Sequence, residues 1–267
     1  MPRTLKLTIA YDGSAYSGWQ RQANAPSIQA VIEDEIATIV GAPNPLVAAG
    51  RTDAGVHAAA QVASITIDHP IACDELLKAL NARLTAGDIR IRAIEETSER
   101  FDARIFAKTK TYRYAIWNGG VPNPFIRHVV WHVPYVLDLP RMVDAARALV
   151  GEQDFAAFQG RGSDVKTTVR RVLSAELREL EVDSDQPVAV SPLAATAPQR
   201  DGRLLRLEIS GTGFLRHMVR TIAGTLVDIG RGQLAPDDLR RIIDSRDRAE
   251  AGQTAPPQGL MLWRVEY

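Results

Sequence analysis

Thr4-Leu5-Lys6-Leu7-Thr8-Ile9-Ala10-Tyr11 alternates apolar and polar residues with a period of two. That is the pattern of a strand buried on one face. Asp12-Gly13 ends it with turn chemistry. Beyond the turn, Ser27 is placed to cap a helix whose apolar stripe is Ile28, Ile32, Ile36 and Ile39. A short strand around Leu46–Ala48 leads to Gly50, and Ala63, Ile65 and Ile67 mark the next strand. Leu76, Leu77, Leu80 and Leu84 give a second amphipathic helix, and Ile89 and Ile91 a closing strand. Residues 1–106 thus read β-α-β-β-α-β, the split βαβ or ferredoxin-like unit.

Residues 107–267 approach the same order with additions. Tyr112, Tyr114 and Ile116 alternate in a strand, followed by a strand over Val129–Val133. Pro140 sits in the first turn of a helix carrying Met142, Ala146 and Leu149. Strands follow at Leu173, Ala175 and Leu177 and at Leu205, Leu207 and Ile209. Leu215, Met218, Val219, Ile222 and Leu226 fall on one helical face. Pro236 opens a short helix through Leu239, Ile242 and Ile243, and Leu260, Leu262 and Val265 mark a last strand. The expectation is an α+β fold. Two ferredoxin-like halves, 1–106 and 107–267, form one extended antiparallel sheet with flanking helices and a central cleft. Segment 183–202, with three prolines and no periodicity, reads as an exposed, partly disordered loop.

Composition bounds the function. The 267 residues are 45% hydrophobic and 24% charged, as in globular proteins. No apolar run reaches membrane-spanning length, and Met1–Lys6 lacks the apolar core of a secretory signal, so a cytoplasmic protein is expected. Cys73 is the one cysteine, which rules out an internal disulfide or a cysteine-rich zinc site; it is expected as a small core residue. Lysine plus arginine and aspartate plus glutamate both number 32, so a nucleic-acid partner would require segregated charge. Arg104, Lys108, Lys110 and Arg113 face only Asp102 within 101–118, and further clusters hold Arg161, Lys166, Arg170 and Arg171, then Arg203, Arg206, Arg216 and Arg220. Acid gathers at Glu33-Asp34-Glu35 and Glu95-Glu96.

Four segments carry candidate chemistry. Gly50-Arg51-Thr52-Asp53-Ala54-Gly55-Val56-His57-Ala58 places a carboxylate and a cation in a tight loop between strands. On spacing alone Asp-Ala-Gly also makes a good turn whose aspartate bonds its own backbone, and His57 reads as a structural histidine. In Lys110-Thr111-Tyr112-Arg113-Tyr114 the tyrosines share one strand face, where they serve either as base-stacking surfaces or as a core pair. In Phe214–Arg220, Arg216 and Arg220 are four apart, on one helix face, fit to pair with a carboxylate or phosphate or to stay solvated. Tyr11–Gln20 is a polar, aromatic loop that can meet RNA or cap the sheet. No P-loop, His-Glu-x-x-His or Gly-x-Ser-x-Gly motif occurs.

Taken together, these pieces resemble the bacterial tRNA pseudouridine synthase A family. The resemblance spans nearly the whole chain: Tyr11-Asp12-Gly13 with Gly18-Trp19-Gln20, the Gly50–Ala58 loop, Leu80-Asn81, Phe101-Asp102-Ala103-Arg104, Tyr112-Arg113-Tyr114, Asp154-Phe155, Phe214 to Arg220, and Gly259-Leu260. Its most specific string is Arg-Thr-Asp-Ala-Gly-Val-His. The resemblance implies the pseudouridine synthase fold with an RNA-binding cleft. The implied enzyme is a homodimer, without cofactor or metal, that isomerises uridine at positions 38, 39 and 40 of the tRNA anticodon stem-loop. It also implies Asp53 as nucleophile, Tyr112 as the active-site tyrosine, Arg220 as the arginine paired with the aspartate, and Arg51 as the residue that helps displace the target base. Thr221 stands where the family pattern has asparagine, and the 183–202 loop is longer than usual. Two rival readings remain at this stage: an RNA-binding protein without catalysis, and a hydrolase using Asp53 and His57.

Overall fold

A computed structural model describes residues 1–122, 124–162, 165–180 and 202–267. In chain order it forms β1 (Arg3–Tyr11), α1 (Ile28–Val40), β2 (Val47–Ala48), β3 (His57–Ile67), α2 (Cys73–Arg83), β4 (Ile89–Thr97) and β5 (Thr109–Gly119). There follow β6 (Trp131–Val133), α3 (Leu139–Ala146), β7 (Gly151–Asp154), β8 (Val169–Leu180), β9 (Gly202–Gly211), α4 (Met218–Gly230), α5 (Asp238–Ser245) and β10 (Leu260–Glu266). The expected α+β class holds. The 183–202 loop lies, apart from Gly202, outside the described residues. The chain divides into two compact units, Met1–Lys110 with Met261–Tyr267, and Thr111–Leu260.

In the first unit the strand order is β4-β1-β3-β10, with β2 on β3. β1 is antiparallel to β3 and β4, and β10 is parallel to β3. The alternation of β1 is realised: Leu5, Leu7 and Ile9 are fully buried, as are the stripes Ile28, Ile32 and Ile36 of α1 and Leu76 and Leu80 of α2. Ser27 caps α1, its side chain accepting the Ala30 N–H. Such a cap stabilises a helix by about 1 kcal/mol. Cys73 is the first residue of α2 and only partly buried, not the core residue expected, because Leu76 and Leu80 carry that helix's inner face.

β3 begins at His57, several residues earlier than the Ala63-Ile65-Ile67 alternation marks. His57-Ala58-Ala59-Ala60-Gln61 has no large apolar alternation; its extended form is secured by pairing of Ala58 with Tyr11 and of His57 and Ala58 with Met261 and Leu262.

In the second unit the order is β5-β9-β8-β7, with β6 parallel to β5. β6 covers only Trp131–Val133 of the expected Val129–Val133 strand. Tyr114, Phe155, Phe158, Leu205, Leu207, Ile209, Ile222 and Leu226 are all buried. A bulge between Val172 and Ser174 turns Leu173 outward, 42% exposed, against its expected inward place.

Residues between those core positions carry charge, and part of the basic clustering is neutralised there. Arg113 Nε lies 2.5 Å from Glu208 Oε2, Arg206 Nη2 3.9 Å from the same oxygen, and Arg203 Nη1 3.4 Å from Glu179 Oε2. Burial and the neighbouring Arg113 and Arg178 lower the Arg206 pKa from its usual value. The Arg113 and Arg203 pairs tie neighbouring strands of the sheet, and Arg206 meets Glu208 along one strand.

Candidate active site

Gly50–Ala58 connects β2 to β3. Its shape follows from backbone approach more than from side-chain packing. A Cβ on Gly13 would stand 2.1 Å from the Val56 carbonyl oxygen, and one on Gly18 2.7 Å from the Thr52 oxygen. Gly18 also has φ +98° and Gly55 φ +75°, conformations that side-chain-bearing residues rarely adopt. The Tyr11–Gln20 segment therefore presses its two glycines onto the Asp53 loop.

Hydrogen bonds complete the clamp. Trp19 N–H donates to Thr52 O (3.1 Å), Gly55 N–H to Tyr16 O (3.2 Å) and Val56 N–H to Asp53 O (3.1 Å). The Thr52 and Tyr11 hydroxyls share a buried bond of 2.8 Å, and Gln61 Nε2 donates to Gly50 O at 2.7 Å. Burial pushes the Tyr11 hydroxyl up to about 12, against the lowering effect of its bonds to Thr52 and Gln61. Tyr16 also rises to about 12, through burial and then through its hydroxyl bond to the Asp88 carboxylate.

Within this frame Thr52 and Val56 are buried, Asp53 is half-buried and Arg51 is exposed. The loop thus leaves Arg51 outward from a fixed base, with the Asp53 backbone held against Gly18. The Lys110 side chain lies along Gly50, its Nζ 3.4 Å from where a Cβ would stand. His57 is buried; its Nδ1 accepts the Gly13 N–H at 3.2 Å and stands 3.1 Å from Asp12 Oδ1. It fastens the Asp12-Gly13 turn to the start of β3, the structural role expected of it.

In the second unit Tyr112 is buried and meets Phe214 edge-on, ring centroids 5.1 Å apart. Tyr114, on the same face, is a core residue: its hydroxyl donates to Pro256 O at 2.7 Å, and a Cβ on Gly259 would stand 2.7 Å from its ring. Burial raises its pKa, and the charge of Arg220 partly offsets this. Arg220 lies in the first turn of α4, with Nε donating to Ala255 O at 2.8 Å and its own carbonyl accepting the Ala255 N–H at 3.1 Å.

Arg216 does not share a helix face with Arg220. Helix α4 starts at Met218, and His217 before it is left-handed at φ +62°. That residue turns the chain, and Arg216 instead donates to the carbonyls of Arg161 and Gly162 at 3.2 and 3.4 Å.

Arg51 and Asp53 therefore share one clamped loop, and Tyr112, Phe214 and Arg220 belong to the other unit. The sequence alone did not single out Gln61 or Thr52 as supports. The signal was present only as the proximity of Tyr11 to Ala58 in a β1–β3 pairing.

An α+β framework that holds Asp53 and Arg51 on a glycine-gripped loop presents an acidic side chain from a rigid scaffold, as enzymes of several classes do. A family model described as tRNA pseudouridine synthase matches residues 7–104 and 145–267. Full-length relatives called "tRNA pseudouridine synthase A" include those of Geobacter sulfurreducens, 41% identical over 99% of this chain and all of that protein, and of Acetivibrio thermocellus, 40% over the same shares. That of Geotalea uraniireducens is 42% identical, again over 99% of this chain and the whole relative. The chain belongs to the tRNA pseudouridine synthase family, a family of isomerases. Among the described residues no group of metal-ligating side chains gathers, and no helix is long and apolar enough to cross a membrane.

Proposed function

We propose that this protein isomerises uridine to pseudouridine at positions 38, 39 and 40 of the tRNA anticodon stem-loop, with Asp53 as nucleophile. The reaction breaks the bond between uracil N1 and ribose C1′, turns the base and joins C5 to C1′. N1 ends with a proton and C5 loses one; nothing is oxidised and no water enters the product. Asp53 supplies the carboxylate, Arg220 is its cationic partner, Arg51 fills the space left by the displaced base, and Tyr112 lies against the uracil. Extruding a base from its stack costs a few kcal/mol. A loop fixed beforehand limits what else must be ordered as the base enters.

The observation that carries this reading is the clamp on the Asp53 loop: Gly13 and Gly18 bring the Tyr11–Gln20 segment into close backbone contact with it. The family membership supports the substrate, and the relatives' name supports tRNA as the RNA. The same reading takes the protein as a cytoplasmic homodimer working without a cofactor, its two halves ferredoxin-like and flanking an RNA-binding cleft. The test is tritium release from tRNA carrying C5-labelled uridine, with the modified positions mapped afterwards. One tritium released per pseudouridine at 38–40 is expected. Free uracil or strand cleavage would point to a hydrolase, and tight binding without release to a non-catalytic RNA-binding protein.

A further inference from the structure

Between β4 and β5 the chain makes a short turn, Phe101-Asp102-Ala103-Arg104-Ile105-Phe106-Ala107-Lys108, that the Asp53 chemistry does not use. Its tip shows two large apolar side chains, Ile105 at 77% and Phe106 at 51% exposure. An apolar pair this open, on a turn this well held, calls for a partner. The Asp102 carboxylate accepts the N–H groups of Arg104 (2.8 Å) and Ile105 (2.9 Å), and Phe106 N–H donates to Asp102 O (3.0 Å). Below the tip, the Phe106 ring packs against Phe101 at 5.9 Å, and Phe101 against Tyr267 at 5.1 Å. The Tyr267 hydroxyl donates to Ala103 O at 2.8 Å. Phe106 is thus the open end of an aromatic row whose inner members are fixed.

Charge decides what fits there. From residue 100 to 110 the cations are Arg100, Arg104, Lys108 and Lys110, against the single carboxylate of Asp102, which is turned into its own turn. Arg104 and Lys108 are exposed on either side of Phe106. Lysine is depleted from the cores of protein–protein contacts, whereas an aromatic face between cations suits a nucleobase flanked by its phosphates. The turn is also continuous with the candidate site. Ala103 is buried in one cluster with Ala49 and Val62, Ala49 runs through Gly50 to Arg51, and Lys110 at the other end of the turn lies along Gly50.

We propose that Phe106 is a base-stacking platform for an unpaired nucleotide of the substrate tRNA, with Arg104 and Lys108 holding the neighbouring phosphates. This rests on the reading of tRNA as substrate. The turn is the RNA's second point of purchase on the first unit, beside Arg51 and Asp53.

The test measures equilibrium tRNA binding from low to physiological salt, and single-turnover pseudouridine formation, for the parent, Phe106→Ala, Phe106→Tyr and Arg104→Gln. Melting curves confirm that each variant is folded, and sedimentation reports its oligomeric state. Phe106→Ala should weaken binding by about tenfold at every salt concentration, with the salt slope of the parent. Phe106→Tyr, which keeps the ring, should bind like the parent. Arg104→Gln should reduce the slope of log K against log salt by about 0.7–0.9. Parent-like tRNA binding by Phe106→Ala overturns the proposal, as does a change of oligomeric state that accounts for the loss, which would make the tip a protein contact. A parent that neither binds nor isomerises tRNA overturns this proposal together with the reading beneath it; an active parent with indifferent variants overturns this one alone.

Discussion

The loop 50–58 and the segment 213–220 both bring family-specific residues to a surface, and they are held by opposite means. The first is gripped through backbone: Gly13 and Gly18 touch its carbonyls, and main-chain hydrogen bonds tie Thr52, Asp53, Gly55 and Val56 in place. The second is held through side chains: Met218 and Val219 are buried, Phe214 meets Tyr112 edge-on, and His217 tolerates a left-handed conformation while its ring packs over Gly160. A backbone clamp fixes atoms tightly but fails on the addition of one methyl group. A side-chain wedge yields gradually as groups are trimmed. The residue proposed as nucleophile is on the clamped segment, and the cation proposed as its partner on the wedged one.

The largest effect should come from Asp53→Asn, which keeps the loop's shape and removes the proposed nucleophile. Single-turnover pseudouridine formation should fall by more than about a thousandfold with tRNA affinity within a few fold. Appreciable product, with deamidation excluded, would break the assignment of chemistry to the clamped loop.

Next in size are the clamp's own glycines. Gly13→Ala and Gly18→Ala should each destabilise the first unit by about 1–3 kcal/mol and slow turnover sharply, since the neighbours that must give way are backbone. Calorimetry and single-turnover rates check this; wild-type stability in both variants would mean the loop is freer than its contacts imply.

Much of this contrast was hidden from the sequence. The Leu5-Leu7-Ile9 strand, the Ser27-capped helix and the stripe of α4 were legible because their burial is periodic. β7 was not, since Gly151-Glu152-Gln153-Asp154 carries no apolar residue. The Asp53 loop announced itself as a motif, yet the reason it holds still lay in residues about 40 positions away that only folding brings near. Part of the basic clustering is paired in a way the sequence does not show: Arg113 meets Glu208, and Arg203 meets Glu179, only through cross-strand register. Arg216 leaves the helix face at His217, whose left-handed backbone nothing in the composition signals.

The wedge is probed by Tyr112. Tyr112→Leu should lose about 1–3 kcal/mol of affinity for the flipped base, whereas Tyr112→Phe should bind normally. Stalling of Tyr112→Phe after binding, measured with 5-fluorouridine tRNA in single turnovers, would give the hydroxyl a part in removing the C5 proton. Parent-like behaviour of both variants would leave Tyr112 a core residue only.

His217 offers a finer comparison within the same segment. His217→Gly relieves a conformation costing about 1–2 kcal/mol but loses the ring's packing, so its stability should stay near that of the parent. His217→Ala loses the ring and keeps the strain, and should melt lower. The reverse order would show that the left-handed backbone costs alanine less than the extra chain entropy costs glycine.

The smallest effect concerns alkali. The folded-state pKa of Tyr11, about 12, exceeds the ordinary value of 10.0. The stabilisation is therefore complete below pH 10 and lost as the pH rises from there towards 12. Thermal melts of the parent should fall across that range, and those of Tyr11→Phe should fall less steeply; equal slopes would place the alkaline weakness elsewhere.

The seven residues Met261–Tyr267 complete the first unit, yet about 150 residues separate them from Lys110. On a ribosome adding roughly 5–20 residues per second, that interval lasts roughly 8–30 s. Throughout it, the edge of β3 at His57 and Ala58, directly after the Asp53 loop, waits without the neighbour that Met261 and Leu262 supply. The order of synthesis thus works as a timer: the strand that carries the Asp53 loop back into the sheet gains its last partner only after the whole second unit has been made.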